Sequence, residues 1–190
     1  MVIKPLFSES DMIEGCCKED EKSQRHLYAH FCKKMLGVAM RYSSSKQQAE
    51  DILQDSFVKI FKNIRKFKQE CPLEQWIRKI VVNTALTSNR KRNDPLDIDE
   101  FKNVLSSEEI SLSDIHYQDL VSMIQQLATS YRVVFNLYAI EGYQHKEISK
   151  LLNISEGASK SLYARAKYLL QNKIKSNAKK EVVVENKNTM

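Results

Sequence analysis

The chain has 190 residues, of which 42% are hydrophobic, and it contains only four Gly and three Pro. That length suits one domain of moderate size or two small ones, and so few turn residues argue against a sheet-rich fold. The composition therefore predicts a mostly helical protein. The formal net charge of +6 favours a polyanionic partner without proving one, because many basic proteins bind nothing anionic.

The cysteines and the first residues bear on where the protein resides. Cys16, Cys17, Cys32 and Cys71 include no CxxC pair and no His at zinc-ligand spacing, which indicates reduced thiols and no metal site. The start, MVIKPLFSESDM, lacks an apolar run of signal-peptide length, and no stretch approaches the ~20 apolar residues of a membrane span. We expect a cytoplasmic protein with no cofactor and no membrane insertion.

Apolar residues recur at three- and four-residue steps in three long segments of the N-terminal half. These segments run from 23 to 43, from 46 to 64 and from Pro72 to about Arg92, and a shorter helix is expected near residues 11 to 18. Amphipathic helices bury their apolar stripes against one another. The pattern therefore predicts a helical bundle over residues 1–92.

The character of the sequence changes after this bundle. Between Asn93 and Asp119 there are eight carboxylates against a single Lys, and the periodicity is sparse. This predicts an acidic flexible linker over 93–115, a second helical domain over 116–175 and a disordered tail over 176–190. The predicted fold is all-α, with two small helical domains joined by the linker.

The segment HKEISKLLNISEGASKSLYARA, residues 145–166, has the pattern of a helix-turn-helix. An apolar helical edge is interrupted by a short break. Ser155 then follows, a residue type that accepts hydrogen bonds from the open amides of a new helix. Lys160, Ser161 and Arg165 lie on the second helix, where cations and small polar groups suit a DNA major groove.

The second long helix carries Glu50, Asp51, Gln54 and Asp55 on its outer face, since residues three and four apart lie together. Clustered carboxylates can hold a metal or form an acid–base pair, but no His lies nearby and no nucleophile–base pair is visible. We therefore predict no catalytic residue and no metal ligand here, and no enzyme. Two interpretations remain open from the residues alone, a solvated face and a docking surface for a basic partner protein.

The segment FKQECPLEQWIRKIVVNTALTSNRKR, which begins at Phe67, interleaves aromatic residues with cations and an amide. That combination offers what single-stranded nucleic acid needs: stacking faces, phosphate neutralisation and a reader of base edges. Trp76 lies on the inner stripe of its helix and is expected in the core. Lys79 and Asn83, four residues apart, share the opposite side and are the better candidates for contact.

Three stretches, AEDILQDSFVKIF, KFKQECPLEQWIRKIVVNTA and YQHKEISKLLNISEGASKS, resemble in this order the sigma-70 family of RNA polymerase sigma factors. The small two-domain extracytoplasmic-function group is the most similar, and the resemblance extends from about residue 10 to 172. It implies an alternative sigma factor of the bacterial cytoplasm that binds core RNA polymerase, directs it to specific promoters and assists their melting. The alternative is a stand-alone helix-turn-helix transcriptional regulator, which would bind duplex DNA tightly by itself.

The resemblance also implies a role for each surface. Polymerase docking, on the clamp helices of the largest subunit, would fall to Glu50, Asp51, Gln54 and Asp55. The minus-ten element would be bound by Lys66, Phe67, Lys68, Lys79, Asn83 and Arg90, and the loop from Lys66 to Leu73 would take a flipped base. The minus-thirty-five element would be read by Ser155, Glu156, Gly157, Lys160, Ser161, Leu162 and Arg165. Expected partners are core RNA polymerase, including its flap region, promoter DNA and an anti-sigma factor, and the free protein is expected to be a monomer.

Two registers are conceivable for the second helix of the helix-turn-helix. Periodicity buries Ala158, Leu162, Ala166 and Leu169, whereas the register of the family buries Ser159, Tyr163, Ala166 and Leu170. The family register is preferred here. It leaves Leu162 exposed, where its side chain could touch a thymine methyl group.

Overall fold

In a computed structural model of the chain, residues 8–91 and 117–187 are described. Within these ranges the structure contains eight α-helices and no strand, which confirms the predicted all-α class. The helices are α1 (Glu9–Cys17), α2 (Glu21–Tyr42), α3 (Lys46–Asn63), α4 (Leu73–Lys91), α5 (Tyr117–Gln125), α6 (Thr129–Phe135), α7 (His145–Leu152) and α8 (Glu156–Lys187). The chain divides into two units, Met1–Asn93 and Asp94–Met190. The predicted linker, 93–115, lies outside the described residues.

Polar side chains begin the first three helices. The side-chain oxygens of Ser8, Asp20 and Ser45 each accept a hydrogen bond from an amide of the first turn, at 3.1, 2.7 and 3.2 Å. These amides have no partner within the helix, so the caps fix where each helix starts. A 3-10 turn, Ile64–Lys66, follows α3 and leads into the loop before α4.

The core of the first unit is formed by the apolar stripes of α2, α3 and α4. Its buried side chains include Leu27, Phe31, Met35 and Val38 of α2, Ile52, Leu53, Phe57 and Ile60 of α3, and Leu73, Ile77, Val81 and Ala85 of α4. Helix α1 approaches α2 closely at Gly15, where an added Cβ would collide with the Ser23 side chain. Glycine at this position therefore allows the two helices to pack.

A buried polar contact joins the three long helices of this unit. The Gln48 amide on α3 donates a hydrogen bond of 2.9 Å to Oδ1 of Asn89 on α4, and Nδ2 of Asn89 donates one of 3.1 Å to the Tyr42 carbonyl at the end of α2. Both amide side chains are buried. Because buried polar groups are costly without partners, this contact disfavours sliding of α4 along its neighbours.

The second unit packs α5 and α6 against α8. Its core contains Met123, Ile124, Leu127, Phe135, Ala166 and Leu170. The buried Arg132 guanidinium donates to the carbonyl of Gln125 at 2.8 Å, which closes the turn between α5 and α6. A π-helical turn continues α6 over Asn136–Ile140, and Gly142 follows with a φ of 78°. That left-handed conformation is one that glycine adopts at little cost.

The predicted helix-turn-helix is formed by α7 and α8. Helix α7 ends at Asn153, whose φ of 57° reverses the chain, and Ser155 accepts a hydrogen bond of 3.0 Å from the Ala158 amide at the start of α8. The helix-turn-helix and the predicted capping role of Ser155 are both confirmed.

Helix α8 differs from the expected end of the second domain. The sequence predicted a disordered tail over 176–190, yet the backbone is helical to Lys187. The stretch contains neither Gly nor Pro, the two residues with the lowest helix propensity, so no residue in it breaks the helix. Residues 188–190 lie outside the described residues.

Replacing Asn89 tests the buried polar contact. Asn89→Ala should lower the free energy of unfolding by about 1–3 kcal/mol, because it removes the acceptor of Gln48 and the donor to the Tyr42 carbonyl. Urea unfolding followed by far-ultraviolet circular dichroism measures this. Gln47→Ala, at an exposed position of α3, is the matched control. Equal unfolding midpoints for the two variants would show that the contact contributes nothing.

Candidate nucleic-acid interface

The outer side of α3 presents a surface that we call the acidic face, formed by Glu50, Asp51, Gln54 and Asp55. All four side chains are exposed, and Lys46 lies 3.6 Å from the Glu50 carboxylate as a loose ion pair. Val58 extends this face with an apolar side chain that is 51% exposed. In the described part of the chain, no group of three or more His, Cys, Asp or Glu side chains is arranged to hold a metal.

A second surface is a cleft of about 370 Å³ between α3, the 3-10 turn and α4, here called the cationic cleft. Its lining is Lys59, Asn63, Lys66, Trp76, Ile80, Asn83, Thr84 and Thr87. Two ammonium groups, two amides and an indole therefore border one opening, which is the set of groups that a single nucleic-acid strand requires.

Hydrogen bonds hold the cationic cleft in shape. The Lys59 ammonium donates to Oγ1 of Thr84 on the opposite helix at 3.1 Å. Nδ2 of Asn63 donates to the Lys59 carbonyl at 2.9 Å, which leaves Oδ1 of Asn63 as an acceptor for a ligand. The ammonium and the amide are thus positioned before a ligand arrives.

Trp76 does not lie in the core, so that prediction was wrong. Its side chain is half-buried at the cationic cleft, and its ring centroid is 5.3 Å from that of Phe67. The buried stripe of α4 passes through Leu73, Ile77 and Val81 instead. Trp76 is about 100° away from this stripe and shares the cleft face with Asn83.

Three of the six residues predicted for the minus-ten element lie at the cationic cleft, and three lie away from it. Lys66 and Asn83 line the cationic cleft, and Phe67 flanks it through its contact with Trp76. The side chains of Lys68, Lys79 and Arg90 are exposed but do not line the cleft. Four lining residues were not predicted: Lys59, Asn63, Thr84 and Thr87. Their spacing contained the signal, since Asn63 lies four residues after Lys59 and three before Lys66, and Thr84 and Thr87 lie four residues after Ile80 and Asn83.

A third surface, here called the acidic cleft, has a volume of about 510 Å³ and lies between α1 and the loop before α4. Its lining is Glu9, Ser10 and Ile13 of α1 together with Phe67, Gln69, Glu70, Cys71 and Pro72 of the loop. Gln69 has a left-handed φ of 57°, which turns the loop at this point. The part played by α1 was not predictable, because it depends on contacts between residues far apart in the sequence.

Aromatic rings connect α7 to α8 in the second unit. His145, the first residue of α7, stacks on Tyr138 with ring centroids 4.3 Å apart, and Tyr138 lies 4.5 Å from Tyr163 of α8. Nδ1 of His145 is 2.9 Å from the Ser159 hydroxyl, a fully buried group of α8. Burial and the neighbouring Lys160 ammonium lower the pKa of His145, with a smaller opposing effect from Glu156.

The start of α8 presents most of the residues predicted to read DNA. Ser155, Glu156, Gly157, Lys160 and Ser161 are exposed. The Lys160 ammonium lies 2.7 Å from the Glu156 carboxylate, and this hydrogen bond lowers the pKa of Glu156. Further along, the half-buried Arg165 guanidinium is 5.3 Å from the ring centroid of Tyr168, an exposed residue that the sequence analysis did not select.

Leu162 is buried, so the expected contact between its side chain and a thymine methyl group is wrong. Only 3% of Leu162 is exposed, and the buried stripe of α8 consists of Ser159, Leu162, Ala166 and Leu170. Tyr163 is half-buried. The stripe combines the two predicted registers, because steps of three and four residues keep these four side chains on one side of the helix.

Comparisons with known proteins agree with this arrangement. Residues 27–94 match the family model for sigma-70 region 2, and residues 117–170 match that for sigma-70 region 4. Together the two matches cover more than half of the chain.

Two curated relatives are named ECF RNA polymerase sigma-E factor. The protein of Haemophilus influenzae is 25% identical over 88% of this chain and 96% of its own length, and that of Escherichia coli K12 is 24% identical over 88% and 95%. A solved structure of the sigma factor RpoE in complex with the anti-sigma factor NepR from Bartonella quintana has a similar fold. Its TM-score is 0.51 at 21% identity, over 80% of this chain and 96% of that one.

The partial burial of His145, together with the neighbouring Lys160 ammonium, should make the stability of the second unit depend on pH. The folded pKa of His145 lies below its ordinary value of 6.5, so the unfolded state binds the proton more readily. Stability should therefore decrease as the pH falls from about 6.5 towards the folded pKa. His145→Phe, which keeps a ring for stacking but cannot titrate, should lose less stability between about pH 7.5 and 5.5 in scanning calorimetry. The same loss in both proteins would contradict this role of His145.

The burial of Leu162 gives a second expectation. Leu162→Ala should cost about 2–5 kcal/mol of unfolding free energy, because it opens a cavity under α8. Ser161→Ala, at the exposed neighbouring position, should change it by less than about 0.5 kcal/mol. Chemical denaturation of both variants checks this, and a Leu162→Ala variant as stable as Ser161→Ala would place Leu162 on the surface.

Proposed function

The chain belongs to the sigma-70 family, as an alternative sigma factor of the extracytoplasmic-function group, and we propose which of its surfaces perform the steps of initiation. A transcription initiation factor of this kind lends promoter specificity to RNA polymerase, which carries out the polymerisation. The observation that supports the assignment best is that α3 bears two different surfaces. Its acidic face is exposed, and its Lys59 and Asn63 line the cationic cleft.

The acidic face docks on core RNA polymerase, at the clamp helices of the largest subunit. Three carboxylates and an amide on one rigid helix offer a fixed pattern to a basic partner, and such complementarity raises the rate and specificity of association. Val58, 51% exposed beside them, adds an apolar contact that a solvated face would not require.

The cationic cleft holds the non-template strand of the minus-ten element during melting. The Lys59 and Lys66 ammonium groups neutralise phosphates, and the half-exposed Trp76 indole offers a stacking face. Asn83, exposed at the edge, supplies both a donor and an acceptor for an unpaired base. Lys68, Lys79 and Arg90 lie outside the cleft and contribute as longer-range contacts to the DNA backbone.

Helix α8 reads the minus-thirty-five element in the major groove. Lys160, Ser161 and Arg165 remain the base- and phosphate-contacting candidates on this helix, after Ser155, Glu156 and Gly157 at its start. The Tyr168 ring beside Arg165 joins this set, because it limits the directions in which the guanidinium can point. Leu162 packs in the core of the unit and is no longer a candidate for contact with DNA.

The remaining assignments concern partners and location. The second unit meets the flap region of polymerase, and an anti-sigma factor holds the chain inactive. The sigma factor RpoE, which has a similar fold, forms a complex with the anti-sigma factor NepR, and this supports an anti-sigma partner here. The free protein is a monomer that acts in the bacterial cytoplasm, where its polymerase is found. None of the helices in the described residues is long and apolar enough to cross a membrane.

Run-off transcription tests the function directly. Purified core polymerase is incubated with a pool of upstream genomic fragments, with and without this protein. Transcripts from a subset of fragments that depend on the protein support the proposal, and their alignment gives the promoter. Tight binding of duplex DNA by the isolated protein, without such transcripts, would instead support the stand-alone regulator.

Charge reversal on the acidic face tests the docking assignment. The pair Asp51→Lys and Asp55→Lys should weaken binding to core polymerase at least about tenfold, because the complementary charges become repulsive. The pair Glu14→Lys and Glu21→Lys changes the net charge equally on other helices of the same unit and is the control. Binding is measured by surface plasmon resonance, and circular dichroism verifies that both variants are helical. Equal affinities for the two pairs would place docking elsewhere.

A further inference from the structure

Arg65, in the 3-10 turn Ile64–Lys66, contacts the end of α1. Its guanidinium donates through Nε to the carbonyl of Cys17 at 2.8 Å and through Nη2 to a carboxylate oxygen of Glu19 at 3.1 Å. Cys17 is the last residue of α1, and the final carbonyls of a helix have no partner within it. Because a planar guanidinium can bond to two acceptors at once, Arg65 ties the 3-10 turn to the turn between α1 and α2.

Glu19 has an unfavourable backbone conformation at this contact. Its φ is 60°, in the left-handed region that residues with a Cβ rarely occupy. Glycine would adopt this conformation at little cost, but glycine has no carboxylate for Arg65. The side chains of Arg65 and Glu19 are 65% and 77% exposed, and exposed ion pairs contribute little to stability. Backbone strain without a matching gain in stability is typical of a residue that a function requires.

The turn that Arg65 anchors leads directly to both clefts. Lys66, the next residue, lines the cationic cleft, and Phe67 lines the acidic cleft and contacts Trp76. The loop that follows contains Gln69, whose φ of 57° is also left-handed. A loop with such a residue keeps its shape only if its surroundings hold it. Helix α1 does so at two places, since its first half lines the acidic cleft and its end binds Arg65.

We propose that Arg65 is a positioning residue for promoter melting. With the Cys17 carbonyl and the Glu19 carboxylate it fixes the loop before α4 against α1, so that Lys66 and Phe67 are in place before the melted strand arrives. Binding groups that are already ordered lower the cost of capturing that strand. The inference rests on the proposed sigma function, and it adds Arg65, Glu19 and α1 to the parts of the chain on which melting depends.

The rate of promoter melting tests this positioning role. The promoter comes from the run-off assay, and one melted position of its non-template strand carries 2-aminopurine, whose fluorescence rises when the base unstacks. Holoenzyme with the full chain is mixed with this duplex at increasing concentrations. The rate at saturation reports melting, and the half-saturating concentration reports initial binding. Arg65→Ala should lower the saturating rate about three- to tenfold and change the half-saturating concentration by less than about twofold, because only the melting step depends on the loop.

Glu19→Gly separates positioning from stability. The variant removes the carboxylate and also relieves the left-handed backbone, so its thermal melting temperature should equal or exceed that of the unchanged protein. Its saturating rate should nevertheless fall about two- to fivefold. Glu19→Gln, which keeps an acceptor oxygen for Arg65, should retain most of the rate. Arg25→Lys, in an exposed ion pair of α2 with Glu21, is the matched control and should change neither quantity.

The sign of the Glu19→Gly effect distinguishes positioning from direct contact with DNA. If Arg65 bound a phosphate, loss of the carboxylate would release the guanidinium, and the rate would rise or the half-saturating concentration would fall. Either result overturns the inference, as does an unchanged rate in Arg65→Ala and Glu19→Gly. A slower rate together with a lower melting temperature in Glu19→Gly would indicate a merely structural role and overturn it too. In all these cases the sigma function stands, whereas a lack of protein-dependent transcripts in the run-off assay overturns that function itself.

Discussion

Burial of the apolar stripe of α3 between α2 and α4 determines where everything else in the first unit lies. Ile52, Phe57 and Ile60 are almost fully buried, and each such side chain contributes about 1.5–3 kcal/mol relative to exposure. Once this stripe faces inward, the helical repeat places Asp51 and Asp55 outward. The same rotation brings Lys59 and Asn63 to the seam with α4, where they border a cleft with Trp76 and Asn83. The packing of this one apolar stripe therefore produces both the acidic face and the cationic cleft.

Apolar packing alone would not fix these surfaces to within an ångström, because hydrophobic contacts have little directional preference. The structure adds directional contacts at the points where the register matters. The amides of Gln48 and Asn89 link the ends of the three long helices of the first unit, and the hydroxyl of Ser159 meets the His145 ring between α7 and α8. In each case a buried polar group gains its partner in one register of the helices. The recognition surfaces are held in place by these contacts, although none of the four side chains is proposed to touch DNA.

The sequence alone determined the helices, their order and their inner stripes, because a period of 3.6 residues and capping side chains are local signals. It also determined the acidic face and the helix-turn-helix, which depend on neighbours three and four residues apart. The tertiary structure determined which residues at the borders of those stripes are buried and which are exposed. Trp76 is half-exposed and Leu162 is buried because the neighbouring helices cover one side of each stripe more than the other. The acidic cleft likewise forms only when α1 meets a loop more than fifty residues away, and no local pattern encodes that distance.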